Sequence, residues 1–533
     1  MDQESNCDFV GSRGIMKSCD IYSSTPRSSI RQLVDYDFSS LKPGSTIYVC
    51  GSAVPHFVQV IAPQIPFNYI LVSGDCDQTV PNDLFASDQD FNKFIESSNL
   101  IHWFSQNCVL ISHPKLSQIP IGLDYHTMAE RDHEWGNKTT PLNQEKLLKT
   151  VASKANPLDQ RICKAYANFH FLMTTKFGSD RVDAINQVPK DLVYYEPTKI
   201  KRLNTWVNQS KYAFVISPHG NGLDCHRTWE ALALGCIPIM KTSELDILFE
   251  DLPVLIVKSW SDVTQELLDN TIQEYKIKQF KLEKLKLSYW IKKILEYKFP
   301  ELVKYINNFS TIVKCNFTIQ NIETKIIHYT PLVERKKFME DQMILNNLSY
   351  DFITIFDREE LTVNELDKFN TAKLKMAEIS LFLKQIEGLK STQKISLILE
   401  DDAVLCENFT NILNNYIKQL PEDWDFVFLG NGCNLHIPKQ IIDLDKNINL
   451  FIKCNYPTSW GGNGSTKCAD SYLVSSRAVK VLSKDFNDEE KINLPYDHWL
   501  NKMILKNNFK VYWVEPTIVS QGSECNLFKS SLR

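Results

Sequence analysis

A chain of 533 residues is too long for one ordinary hydrophobic core, so its length argues for two to four domains. Hydrophobic content of 43% with 23% charged residues matches a soluble globular protein, and a net charge of -5 argues against a chain-wide nucleic-acid footprint. Nowhere do about 18 apolar residues run together, so no membrane span is expected. The 14 cysteines include no C-x-x-C pair and no cysteine-histidine cluster at zinc spacing, which fits reduced thiols. The opening "MDQESNCDFVGSRG" does not read as a secretory signal, so a cytoplasmic location is expected.

Residues 1 to about 40 show little periodicity and read as a loose lead-in. Thr46–Cys50 and Tyr69–Ser73 read as strands, Asp90–Phe104 as a helix and Val109–Ser112 as a third strand, giving a Rossmann-like lobe over 41–140. A second lobe over 141–300 repeats the alternation. Its strands are expected at Lys164–Phe171, Leu192–Tyr195, Tyr212–Ser217, Ile237–Met240 and Val254–Val257, with helices at Ile200–Gln209 and Leu223–Leu234. Lys276–Tyr297 is basic with apolar residues between its lysines. Either it binds a membrane or RNA, or it snorkels its lysines while Ile277, Phe280, Trp290 and Ile294 dock on the domain. After a linker at 301–324, a further α/β domain spans 325–533. It has strands at Lys325–His328, Tyr350–Phe356 and Asp423–Gly430, and helices at Leu332–Leu345 and Leu374–Ile386.

The strongest chemical signal is "KISLILEDDAVL", Lys394–Leu405. A short apolar run, read as a buried strand, ends in Glu400, Asp401 and Asp402. Three carboxylates fixed where a buried strand emerges carry desolvation and like-charge repulsion, which a divalent cation would relieve. Oxygen ligands of this kind suit Mg²⁺ or Mn²⁺, which in turn grip a diphosphate. The plain alternative is a solvated acidic loop.

A second signal is "SPHGNGLDCHRTWEALALGCIPIM", Ser217–Met240. A strand gives way to a Gly-containing loop and then to a helix opening near Asp224, an arrangement that offers amides and positive potential to a phosphate. Arg227 and Glu230 lie three apart on one helix face; they could hold a diphosphate and a ribose, or simply pair with each other.

The pattern R-x-x-E-A-L-A-L-G-C-I-P-I resembles exostosin-like GT-B-type glycosyltransferases over Tyr212–Trp260, and the resemblance implies donor contacts from His219, Gly220, Arg227 and Glu230. Residues 325–523 resemble glycosyltransferase family 25, which contains lipopolysaccharide and procollagen galactosyltransferases. The likeness rests on ordered blocks: "IIHYTPLVERKKFMEDQM" with Arg335, "AEISLFLKQI", "LILEDDAVL", "ADSYLVSSRAVKVL", "PYDHWLN" and "VEPTIVSQGS". Where the family carries Ser-His, this chain has Lys384 and Gln385. The expected architecture is therefore α/β throughout, with two Rossmann-like, GT-B-like lobes followed by a GT-A-like domain.

The resemblance implies Mn²⁺ or Mg²⁺ held by Asp402 with Asp401 or Glu400, inversion at the anomeric carbon, and a carboxylate base. Asp497 matches the family aspartate in its block, and Asp470 is the second candidate; Asp497 could equally be a helix N-terminal residue after Pro495. The implied donor is a nucleotide sugar, UDP-galactose or UDP-glucose by analogy, and the acceptor a glycan or protein hydroxyl. The pairing also resembles glycosyltransferases of giant DNA viruses, which would place it in host cytoplasm or virion. The alternatives are a chain with one active half, or a glycan-binding or structural protein on degenerate transferase folds.

Overall fold

The computed structural model describes residues 4–110, 112–169, 173–391, 394–453 and 465–530. It divides into two compact units, Met1–Lys298 and Phe299–Arg533.

Unit 1 carries two all-parallel sheets. The first has strands β1 (Ser45–Cys50), β2 (Tyr69–Gly74), β3 (Leu100–Ser105) and β4 (Leu116–Gln118), in the order β1-β2-β3-β4. β1 and β2 are buried along their whole length, as expected of parallel strands covered on both faces. The second sheet has β5 (Ile162–Ala167), β6 (Val193–Tyr195), β7 (Tyr212–Ile216), β8 (Ile237–Lys241) and β9 (Leu255–Val257), in the order β6-β5-β7-β8-β9. The chain leaves β5 for β6 on one side and returns to β7 on the other. The strand order therefore reverses between β5 and β7, and a crevice opens beyond their carboxyl ends.

Several expectations are corrected here. The helix expected over Asp90–Phe104 stops at Ile95, and its second half is β3, where His102, Trp103, Phe104 and Ser105 are buried in succession on both faces of a strand paired with β2 and β4. Residues 109, 110 and 112 lie in no strand, and 111 falls outside the described residues. β5 ends at Ala167, and Phe171 also falls outside them. The lead-in is structural: Val10, Ile15, Met16 and Ile21 are buried, and buried Arg13 donates to Asp75 at 3.3 Å. Gly122 explains how that segment fits. Its φ is +66°, and a Cβ there would lie 2.3 Å from the Val10 carbonyl oxygen, so the loop after β4 accepts the lead-in only with glycine. The basic stretch is broken: one helix ends at Ile277 and the next is Leu287–Lys298. Trp290 and Ile294 dock as expected, while Ile277 is 86% exposed.

Unit 2 is built on a seven-stranded mixed sheet. Its strands are β10 (Glu323–Ile327), β11 (Tyr350–Ile353), β12 (Ser396–Glu400), β14 (Phe426–Phe428), β15 (Leu450–Ile452), β16 (Ser471–Val474) and β17 (Val511–Val514). A two-stranded antiparallel pair joins β13 (Ala403–Leu405) to β18 (Val519–Gln521). The large sheet runs β11-β10-β12-β16-β14-β17-β15, with β10 parallel to both β11 and β12 and β16 antiparallel between β12 and β14. The order again reverses, here between β10 and β12, so the acidic triplet emerges at the crevice edge. The expected linker is no linker: the helix Pro300–Asn308 belongs to unit 2, where Tyr305 Oη donates to the Leu450 carbonyl at 3.0 Å. Among the described residues, no helix is long and apolar enough to cross a membrane.

Candidate functional site

Buried Leu397, Ile398 and Leu399 anchor β12 in the sheet and deliver Glu400, Asp401 and Asp402 to its carboxyl end. β16 lies antiparallel beside it, so Asp470, just before β16, meets that same end: Glu400 N–H donates to the Asp470 carbonyl at 2.9 Å. Burial pushes the Glu400 carboxyl well above its usual range, and the charges of Asp402, Asp470, Asp401 and Asp497 push it further. Expected acids from widely separated blocks are thus gathered into one electrostatic cluster.

Asp401 has a different task from its neighbours. One oxygen accepts from Arg335 Nη1 at 2.7 Å; the other accepts from His328 Nδ1 at 2.8 Å and from Tyr329 N–H at 3.1 Å. Despite its burial, these partners hold its carboxyl below the ordinary aspartate range. Both oxygens are engaged, so Asp401 is an anchor between β10 and β12 rather than the metal or donor ligand expected. Arg335 is equally committed: it pairs with Asp401, donates to the Lys529 carbonyl and lies over the Phe528 ring at 5.2 Å. Its charge stands 3.8 Å from Asp402 Oδ2, close enough to bias that carboxylate. Asp402 otherwise accepts from Ser523 N–H at 3.2 Å, which leaves Oδ1 open towards a shallow depression of about 60 Å³.

Lys384 and Gln385 are built into the frame. Lys384 Nζ donates to Asp357 at 2.7 Å and to the His328 carbonyl at 2.8 Å. Gln385 accepts from Tyr472 Oη at 2.9 Å, and Tyr472 in turn bonds Tyr496 Oη at 2.9 Å. Gln385 therefore ties the helix Met376–Lys390 to β16 and, through Tyr472, to the helix Tyr496–Lys506 that carries Asp497, while Lys384 ties it to the segment after β10.

Asp470 is 1% exposed, and its Oδ1 has no hydrogen-bond partner among the described residues. Burial, reinforced by Asp402, pushes its carboxyl up to about 7. The approach to it is strained: Lys467, Cys468 and Ala469 have φ of +40°, +68° and +55°, a left-handed run that side chains disfavour and that concentrates at functional sites. Asp497 is half-buried, and its Oδ1 accepts the His498 N–H at 2.9 Å at the start of its helix. It thus fills the helix N-terminal place, while its charge also reaches Glu400. Burial raises its carboxyl; the His498 charge lowers it, and Glu378 raises it.

The raised Asp470 carboxyl gives a stability signature. Between the unfolded value of 3.8 and about 7 the folded state holds a proton that the unfolded chain has lost. Its stabilising contribution is therefore complete below the unfolded value and is lost as pH rises through 7. At pH 8 without divalent cations, Asp470→Asn is expected to stabilise unit 2 by on the order of 2–4 kcal/mol, with the gain vanishing near pH 4. Thermal unfolding at the two pH values measures it; an unchanged or lower melting temperature at pH 8 contradicts it.

The chemistry of the donors fits a hard divalent ion. Glu400 and Asp470, both with raised carboxyls, crowd together with Asp402, and Asp470 offers a buried oxygen without a hydrogen-bond partner among the described residues. Among the described residues, no three His, Cys, Asp or Glu side chains converge as a ready ligand set. Mg²⁺ commonly uses one or two carboxylates and takes its remaining ligands from water and substrate phosphate, which matches Asp402 with Glu400 or Asp470.

Unit 1 holds the larger opening, a cleft of about 630 Å³ at the β5/β7 crevice, within the range of small-molecule sites. Gly220 lines it, and a Cβ there would lie 2.6 Å from Arg181 Nη2, so glycine is what admits that guanidinium to the loop. Arg227 lines it too, donating Nη2 to the Pro218 carbonyl at 2.6 Å and lying over the Phe169 ring at 5.6 Å, with Nε lacking a partner among the described residues. Burial, with Arg181 nearby, weakens the charged form of Arg227. Two guanidinium groups thus converge on the loop that opens the helix His226–Ala233, an environment that favours an anion.

Two expectations change in this cleft. Glu230 lines it, yet its oxygens accept from Arg202 and, at 3.2 Å, from Trp206 Nε1, so the partner of Glu230 is Arg202 rather than Arg227. His219 does not line it: Nδ1 bonds the Leu223 carbonyl at 3.0 Å and Nε2 the Lys241 carbonyl at 3.1 Å, which makes it a brace of the loop. Arg181 and Arg202 carried no local sequence signal, because each reaches the cleft from a helix remote in the chain.

No known protein-family model matches the chain, and no curated protein matches it in sequence.

Proposed function

We propose that the chain is a two-domain glycosyltransferase. It transfers a hexose, galactose or glucose favoured, from a nucleotide-sugar donor, UDP-sugar favoured, to a hydroxyl of a glycan or protein acceptor. The observation that carries this reading is the group Glu400, Asp402 and Asp470 at the reversal of strand order in unit 2, where burial and neighbouring carboxylates raise Glu400 and Asp470. Such a group favours a divalent cation and keeps a proton acceptor near neutrality. The ordered blocks resembling family 25 support the same reading, and the guanidinium-lined cleft of unit 1 supports a second donor site.

In this mechanism Asp402, with Glu400 or Asp470, would hold Mn²⁺ or Mg²⁺, which neutralises charge on the departing nucleoside diphosphate. Asp401 and Arg335 fix the end of β12 so that Asp402 keeps its direction. Asp497, or Asp470 when ionised, accepts the proton of the acceptor hydroxyl as it attacks the anomeric carbon from the face opposite the leaving group.

The test is nucleotide release by the full-length chain from a panel of UDP- and GDP-sugars, with Mn²⁺ and with chelator. Turnover of a UDP-hexose that chelator stops is expected. If no nucleotide sugar is turned over or bound, even by calorimetry, the glycan-binding or structural alternative stands instead.

A further inference from the structure

The cleft of unit 1 contains a histidine whose surroundings define which nitrogen can act. His226 lines the cleft at the first turn of the helix His226–Ala233. Its Nδ1 lies 2.7 Å from the Gly122 carbonyl oxygen. A carbonyl only accepts, so Nδ1 carries the hydrogen, and the neutral ring keeps its lone pair on Nε2. Nε2 has no hydrogen-bond partner among the described residues.

The carbonyl belongs to the loop after β4, on the first sheet, whereas the helix belongs to the second. The ring is therefore held from the wall opposite Arg181 and Arg227. Buried Asp124 stands beside it on the same loop, with both oxygens bound by Thr127 at 3.0 and 2.7 Å. Against the effect of its burial, coupling to the charged forms of His126 and His226, together with Arg202 and the Thr127 N–H, favours the ionised form of Asp124. A fixed carboxylate of this kind stabilises the imidazolium formed when His226 takes a proton.

We infer that His226 is the general base of a second, metal-independent glycosyl transfer carried out in unit 1. The acceptor hydroxyl gives its proton to His226 Nε2 while its oxygen bonds to the anomeric carbon. The bond from that carbon to the diphosphate oxygen breaks, and its electron pair leaves with the nucleoside diphosphate, which Arg181 and Arg227 hold. The imidazolium then releases its proton to solvent. The inference rests on reading the cleft as a donor site, and it removes the need for a cation there because guanidinium groups supply the positive charge.

The experiment uses the full-length chain carrying Asp402→Asn, with chelator present, so that the carboxyl unit is silent. UDP-galactose and UDP-glucose serve as donors and glycerol as a simple hydroxyl acceptor; UDP affinity is measured in parallel by calorimetry. His226→Asn keeps an amide donor for the Gly122 carbonyl and removes the base. It is expected to lower nucleotide release by roughly 10²–10⁴-fold while UDP affinity stays within about twofold. His226→Gln, which reaches differently, should behave alike, and circular dichroism checks folding. Equal release with and without His226 overturns the inference. UDP binding that Arg227→Ala weakens, unaccompanied by any release, overturns it too but leaves the donor site standing. Absence of UDP binding that responds to Arg227→Ala overturns both the inference and the donor reading beneath it.

Discussion

Asp402→Asn is expected to reduce metal-dependent nucleotide-sugar turnover by roughly a thousandfold, the rate equivalent of several kcal/mol of lost charge stabilisation. The substitution is close to isosteric and keeps an oxygen for the Ser523 N–H, which now lies 3.2 Å from Oδ2, so the fold should survive. Mn²⁺ affinity should fall with the rate, because the cluster loses the carboxylate that opens onto the depression. Arg227→Ala should leave that activity within about twofold, since Arg227 belongs to unit 1. Glu230→Ala is the poorer control: it strips buried Arg202 of its carboxylate and Trp206 of its acceptor. Chelator-sensitive turnover that survives Asp402→Asn and disappears with Arg227→Ala would move the main chemistry to the amino unit.

The largest stability effect is expected at Asp401. Its carboxylate compensates Arg335, whose side chain is 5% exposed, and accepts from His328, whose side chain is fully buried. Asp401→Ala leaves a buried guanidinium without its anion, an effect of about 3–5 kcal/mol. Replacing both partners should cost much less, because the charge is then removed rather than abandoned; Asp401→Ala with Arg335→Met is expected to recover at least half of the loss. Urea unfolding of the full-length chain, followed by hydrogen exchange at β10 and β12, reads unit 2 selectively. A loss below about 1 kcal/mol for the single variant would show that Asp401 is solvated and available as a ligand after all.

Residue order alone determined a good part of this molecule. Apolar runs such as Ile395–Leu399 and Tyr212–Ile216 give strands because each is short, flanked by polar residues and buried over Ser396–Leu399 and Ala213–Ile216 in a covered sheet. The alternation of such runs with helical segments was enough for the α/β class, and the position of three acids at a strand end was enough to locate the carboxylate cluster. The failures have a common cause. Asp90–Phe104 mixes two periods, and only its placement beside β2 makes Leu100–Ser105 a strand. The lead-in carries single apolar residues, whose burial depends on a loop more than 100 residues away that has room for them only at Gly122.

Tertiary structure alone decided the division of labour among the acids. Glu400, Asp401 and Asp402 are consecutive, yet Asp401 is bound on both oxygens by Arg335, His328 and the Tyr329 amide while Asp402 keeps one oxygen open. Likewise Arg227 and Glu230 share a helix face without pairing, because Arg202 arrives from another helix and takes the carboxylate. Side-chain chemistry is written in the chain, but a charge acquires its role from the partner that reaches it, and partners separated by tens of residues meet only when the sheets have formed.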